Sequence, residues 1–193
     1  MLQQRYNYDL YMIRRKVLRF VGASFHIYNP DGELQFYVNQ KGFKLKEDIK
    51  IYTGEDMLEE LIFIRARSVI DISAIYDVYD SITGEKIGAL KRKGLKSILK
   101  DEWLILDCND NEVGNIQEDS TALAIVRRFL TNLVPQAFIG TLQGQMVFEF
   151  RQKFNPFIQK IDIDFSLDKN KILDRRLAIA TSVLLCAIEG RQN

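Results

Sequence analysis

A chain of 193 residues with 47% hydrophobic and 11% aromatic content has enough apolar material for one sizeable core. Its 27 Lys and Arg are balanced by 26 Asp and Glu, so a net charge of +1 excludes a general attraction to nucleic acid or to an anionic membrane and leaves any electrostatic function local. Two cysteines, Cys108 and Cys186, exclude a disulfide framework and a cysteine zinc site, and residues 1–6 lack a signal-peptide run, so a single cytoplasmic domain over 1–193 is expected.

From residue 8 to about 117 the apolar period is close to two and is broken by Gly, Asn and Asp, which predicts a succession of hairpins. Strands are expected at 8–14, 16–21, 24–28, 33–38, 44–52, 60–67, 74–79, 85–90, 103–107 and 113–117. The turns fall at Asn29-Pro30-Asp31-Gly32, at 80–84 and at 109–111. Over 120–133 the period changes: Ala122, Ile125, Val126, Phe129 and Leu133 fall at helical spacing behind a cap at Asp119 or Ser120, predicting a surface helix. Pro135 ends it, and strands resume at 136–142, 145–151 and 157–165.

The last predicted element is a helix over 174–189, with Asp174 as N-cap and Gly190 as stop. From Leu177 to Ile188 it is apolar or small on every side, so it belongs in a protein core or a bilayer. At about 1.5 Å per residue this run reaches only about 18 Å, short of the roughly 30 Å hydrocarbon layer, so no transmembrane insertion is expected. The fold class that follows is mainly β: a closed antiparallel barrel wrapped around this buried helix, with 120–133 packed outside.

An internal similarity accompanies the hairpins. Phe25-His26-Ile27-Tyr28-Asn29 with its turn can be laid beside Tyr76-Asp77-Val78-Tyr79-Asp80 and beside Leu104-Ile105-Leu106-Asp107, and 138–150 offers a fourth copy. Either a repeated unit or the shared chemistry of tight turns accounts for it.

The runs Tyr76-Asp77-Val78-Tyr79-Asp80 through Gly84-Glu85-Lys86-Ile87-Gly88, then Trp103-Leu104-Ile105-Leu106-Asp107 through Val113-Gly114-Asn115-Ile116, precede Asp162-Ile163-Asp164 and the final apolar helix. In that order the chain resembles the tubby C-terminal-like superfamily, most closely its branch of LURP-one-related proteins and phospholipid scramblases. The resemblance implies a β-barrel around a hydrophobic C-terminal helix. Its functional implications divide: tubby-like members bind phosphoinositide headgroups through basic surface residues, whereas scramblases are associated with calcium-dependent lipid movement.

The strongest charge feature is Lys91, Arg92, Lys93, Lys96 and Lys100, a run with no acid among them. Such a cluster suits repeated charge-assisted contacts to phosphate, which makes Lys91, Arg92, Lys93 and Lys96 the candidate anionic-headgroup-binding residues. The competing reading is a solvated hairpin connection, and strand alternation divides Lys91 and Lys93 from Arg92 unless Gly94 bends the chain. Arg14, Arg15 and Lys16 with Arg19 form a second, weaker strip.

Asp107, Asn109, Asn111 and Glu118 match EF-hand ligand spacing, but Glu112 stands where that loop needs Gly, so a plain turn and no metal are expected. Asp162, Asp164 and Asp168 stand where scramblase relatives carry a proposed calcium loop, with the family's run of aspartates only partly present. His26, the sole histidine, lies beside Phe25 and Ile27 in a packing or surface role. With no phosphate loop, dinucleotide fingerprint or nucleophile elbow, no catalytic residues and no cofactor are expected. The expected function is a non-catalytic binding module for anionic phospholipid headgroups, peripheral to a membrane. The alternatives are a protein-interaction scaffold, marked by an exposed apolar surface, and a small-molecule carrier or enzyme, marked by an acidic pocket at the barrel end.

Overall fold

A computed structural model describes residues 2–18, 22–40, 48–68, 74–93, 102–118, 137–153 and 159–188. After a 3₁₀ turn at Gln3–Tyr6 come strands β1 (Leu10–Leu18), β2 (Gly22–Tyr28), β3 (Leu34–Gln40), β4 (Ile49–Tyr52), β5 (Glu60–Ser68) and β6 (Ile75–Asp80). They are followed by β7 (Lys86–Arg92), β8 (Glu102–Leu106), β9 (Glu112–Glu118), β10 (Ala137–Leu142), β11 (Gln145–Lys153) and β12 (Gln159–Asp164), and then by helix α1 (Arg175–Ile188). Each strand pairs antiparallel with its sequence neighbours, and β12 returns to β1, so the sheet is a closed meander of twelve strands. Closure leaves no unpaired edge.

One sequence expectation is corrected. The basic run Arg14-Arg15-Lys16 suggested a break between two strands, yet β1 is continuous, with Arg14 opposite His26 and Arg15 opposite Phe25 in unbroken register. The strand tolerates Arg15 because its guanidinium lies over the Phe25 ring, 5.8 Å from the centroid, so alternation need not stop at the charge. The predicted helix over 120–133 lies outside the described residues.

Three hairpins share one local device. Asn29, Asp80 and Asp107 each end a strand and turn a side-chain oxygen onto the following backbone: Asn29 Oδ1 accepts Glu33 N–H at 2.8 Å, Asp80 Oδ1 accepts Ile82 N–H at 2.8 Å, and Asp107 Oδ1 accepts Asn109 N–H at 2.8 Å. Their own N–H groups close the hairpins onto Glu33, Glu85 and Asn111 carbonyls. The similarity seen in the sequence therefore coincides with a recurrent side-chain-capped turn.

Alternation sorts the strand residues. Ile13, Phe25, Ile27, Phe36, Val38, Ile62, Ile64, Trp103 and Ile116 join a single buried apolar cluster, and all residues of α1 from Leu177 to Ile188 except Thr181 and Ser182 belong to the same cluster. The hydroxyls on that helix are satisfied within it: Thr181 Oγ1 donates to Leu177 O at 2.8 Å and Ser182 Oγ to Ala178 O at 2.9 Å. Gly88 on β7 permits a close approach, because a Cβ there would meet Leu106 O at 2.6 Å and a Leu177 methyl at 3.0 Å. Among the described residues no helix is long and apolar enough to cross a membrane, a statement that does not extend to strands.

The helix start is clamped to one end of the barrel. Asp174 caps it by accepting Arg176 N–H at 2.9 Å, while Arg176 Nη1 reaches Asp80 Oδ2 at 2.6 Å. Arg175 lies over Phe165 and bonds Asp9 at 3.1 Å, and Asp168 accepts the N–H groups of Ile172 and Leu173. All the described connections between strands lie at this end, which we call the turn end.

Candidate functional site

The candidate basic residues lie at the opposite end, where β7 finishes. Leu90 belongs to the interior cluster and Ala89 to a separate cluster with Leu104 and Leu106, so β7 alternates between the two faces of the sheet. Lys91 continues the outer row opposite Leu104, whereas Arg92 turns the other way, opposite Trp103, with its guanidinium 5.8 Å from that ring. Lys93 returns to the outside, and its Nζ lies 2.7 Å from Glu102 Oε1. That contact, first among the causes, holds the Glu102 carboxyl below its ordinary range. Lys96 lies outside the described residues. The structure thus brings Lys91 and Lys93 to one face, puts Arg92 on the other, and supplies a counter-charge, Glu102, that no local sequence signal announces.

Charge is segregated along the barrel. The turn-end connections, with the strand and helix ends that meet them, carry Asp9, Asp31, Glu33, Glu55, Asp56, Glu59, Glu60, Asp80, Glu85, Asp107, Asp110, Glu112, Asp164, Asp168 and Asp174 against Arg5, Lys86, Lys169, Lys171, Arg175 and Arg176. The strand halves at the other end carry, among the described residues, Arg15, Lys50, Arg65, Lys91, Arg92, Lys93, Arg151, Lys153 and Lys160 against Asp48, Glu102 and Glu118, and of these bases Lys50, Lys93 and Lys153 pair with Glu60, Glu102 and Asp162. Among the described residues, acids are therefore in excess at the turn end and bases at the other.

Several charges are internally compensated. On the outer face Asp77 is buried and grips Arg67 through a two-point contact, with Arg67 Nε at 2.8 Å, and Lys86 Nζ lies 3.3 Å away. Asp110, from the β8–β9 turn, completes the group at 2.7 Å from Arg67 and 2.6 Å from Lys86. Arg67 and then Lys86 hold the Asp110 carboxyl down to about 2, and at Asp77 burial opposes the shift while the same two cations still carry it downward. Asp80 is lowered likewise, burial working against it and Arg176 for it.

The sign for stability follows from these depressed values. Carboxylates with folded values below their unfolded ones contribute stability that is present above the ordinary range near ~4 and is lost as pH falls toward the folded values. Thermal melts should therefore hold steady from neutral pH to about 5 and fall steeply between about 4 and about 2, and Asp110→Asn should flatten that fall. A melting temperature unchanged down to pH 2 would contradict the network's contribution.

Most of the acidic candidates cap backbone or pair with a neighbouring cation. Asp107 Oδ1 also takes Asn111 N–H at 2.9 Å, while Glu118 is buried at the far end of β9, so the EF-hand-like spacing does not converge. Asp162 pairs with Lys153 at 2.6 Å, Asp164 caps Ser166 N–H at 2.7 Å, and Asp168 caps the residues before α1. Among the described residues no group of His, Cys, Asp or Glu is placed to hold a metal ion. His26 is buried on the outer face between Tyr28 and Tyr37, with Nε2 2.8 Å from Glu55 Oε1. Compared with known proteins, the chain matches no family description, no curated protein and no solved structure.

Proposed function

We propose that the chain is a non-catalytic module that attaches to anionic, phosphate-bearing lipid surfaces by its basic end, with Lys91, Arg92, Lys93 and Lys96 as the main contacts. The observation that carries this reading is the segregation of charge: a barrel acidic at one end and basic at the other approaches a negative surface basic end first. The tubby-like resemblance adds to it, and α1, buried with the strand residues in one cluster, is read as the rod about which the barrel closes. Each base near an anionic surface contributes about 1 kcal/mol, so four set a ceiling of about 4 kcal/mol. Lys93, already held by Glu102, and Arg92, turned the other way against Trp103, both lower that ceiling. Attachment is then weak, salt-sensitive and free of insertion.

Co-sedimentation with vesicles tests this. The parent chain should pellet with vesicles containing acidic lipid, release as salt rises, and lose binding when Lys91, Arg92, Lys93 and Lys96 are all replaced by Glu. Equal partitioning of parent and variant, or indifference to salt, would remove the proposal.

A further inference from the structure

We propose that the turn end is a docking surface for a basic amphipathic segment of another protein, with Leu58 as its central apolar contact. The β4–β5 connection is a built loop. Thr53 N–H bonds Glu59 O at 3.0 Å across its neck, Met57 N–H bonds Gly54 O at 3.1 Å, and Leu58 N–H bonds Asp56 Oδ1 at 3.3 Å. Met57 has φ 54, the left-handed conformation that residues with a side chain avoid unless their surroundings impose it. Two side-chain contacts join the loop to the barrel wall: Glu55 meets the buried His26, and Asn39 Nδ2 meets the Met57 sulfur at 3.6 Å.

What this loop holds out is Leu58, 86% exposed. Ile82, 61% exposed, stands in the neighbouring β6–β7 turn, which is fastened alongside by Ser81 N–H to Leu61 O at 3.0 Å and Ser81 Oγ to Glu60 at 2.8 Å. Leu58 and Ile82 thus project from two turns joined by hydrogen bonds, exposed apolar side chains in one acidic setting. Asp56, Glu59 and Glu85 flank them, all exposed, and among the described residues none of these three has a cation partner. An uncompensated negative rim repels an anionic membrane and complements a helix with one apolar and one basic face. The inference is independent of what the basic end binds.

The test titrates the full chain into a labelled synthetic Leu/Lys amphipathic helix at low salt and reads fluorescence anisotropy. Saturable binding is expected, weakened at least about tenfold by Leu58→Ser, the factor that burial of one leucine supplies. It should also be weakened by Glu59→Lys combined with Glu85→Lys. Because Leu58 is exposed, Leu58→Ser should leave the melting temperature unchanged, and a matched Leu/Glu helix should not bind. No saturable binding, equal affinity for the Leu58→Ser variant, or equal binding of the acidic helix overturns the proposal. So does Leu58-dependent binding to neutral phosphatidylcholine vesicles, which would make lipid the occupant.

Discussion

Leu184→Asp is expected to yield no soluble folded protein. Leu184 is 1% exposed in the middle of α1, with Ile179, Ala180 and Val183 fully buried around it. An unpaired carboxylate there costs several kcal/mol, against the roughly 5–15 kcal/mol that holds a domain together. Leu184→Met keeps volume and polarity and should cost under about 1.5 kcal/mol, which separates the charge from general intolerance. Circular dichroism and solubility of the two variants decide it. A folded Leu184→Asp protein with the parent's melting temperature would show that α1 is not part of the core.

Gly140→Val should be the next most damaging single change, with a loss of about 1–3 kcal/mol or more from overpacking. A Cβ at Gly140 would stand 2.0 Å from Phe148 Cε1 and within 2.5 Å of two further ring carbons. The ring has nowhere to go, because Phe148 is buried and meets Phe165 edge-on at 6.2 Å, and Phe165 in turn meets Tyr11 at 5.9 Å. Gly32 is the informative comparison: a Cβ there meets nothing within 4 Å, and only its φ of 82 opposes substitution. Gly32→Ala should therefore cost about 1 kcal/mol, a penalty of conformation alone. If the two variants melt together, steric packing at the β10–β11 pair has been misread.

What the sequence disclosed follows the range of the interactions involved. The α1 helix was legible because twelve consecutive buried positions leave no polar face to misplace. The hairpins after Asn29, Asp80 and Asp107 were legible, the last from Asn109-Asp110-Asn111, because an Asx turn is closed by atoms only two to four residues apart. The continuity of β1 was hidden because three adjacent cations look like a break until Phe25, on another strand, supplies a surface for Arg15. At the candidate site the basic run was visible, but its division between two faces and the pairing of Lys93 with Glu102 needed the register of β7 against β8. The Arg67–Asp77–Lys86–Asp110 group was invisible for the same reason: Arg67 and Asp110 are separated by 43 residues. Its members meet only after the sheet has formed.

The proposed attachment by the basic end can be measured directly, because the chain carries a natural reporter at the turn end. Cys108 is exposed at the turn end, while Cys186 is buried and burial pushes its thiol well above the ordinary range, so a thiol-reactive fluorophore should label Cys108 alone. A second label is placed on Lys93→Cys in a Cys108→Ser background, and aqueous iodide quenching is measured with and without vesicles containing acidic lipid. Attachment by the basic end predicts that vesicles shield the label at position 93 and leave the one at Cys108 fully quenched. Shielding at Cys108, or none at position 93 while the protein is vesicle-bound, would contradict it.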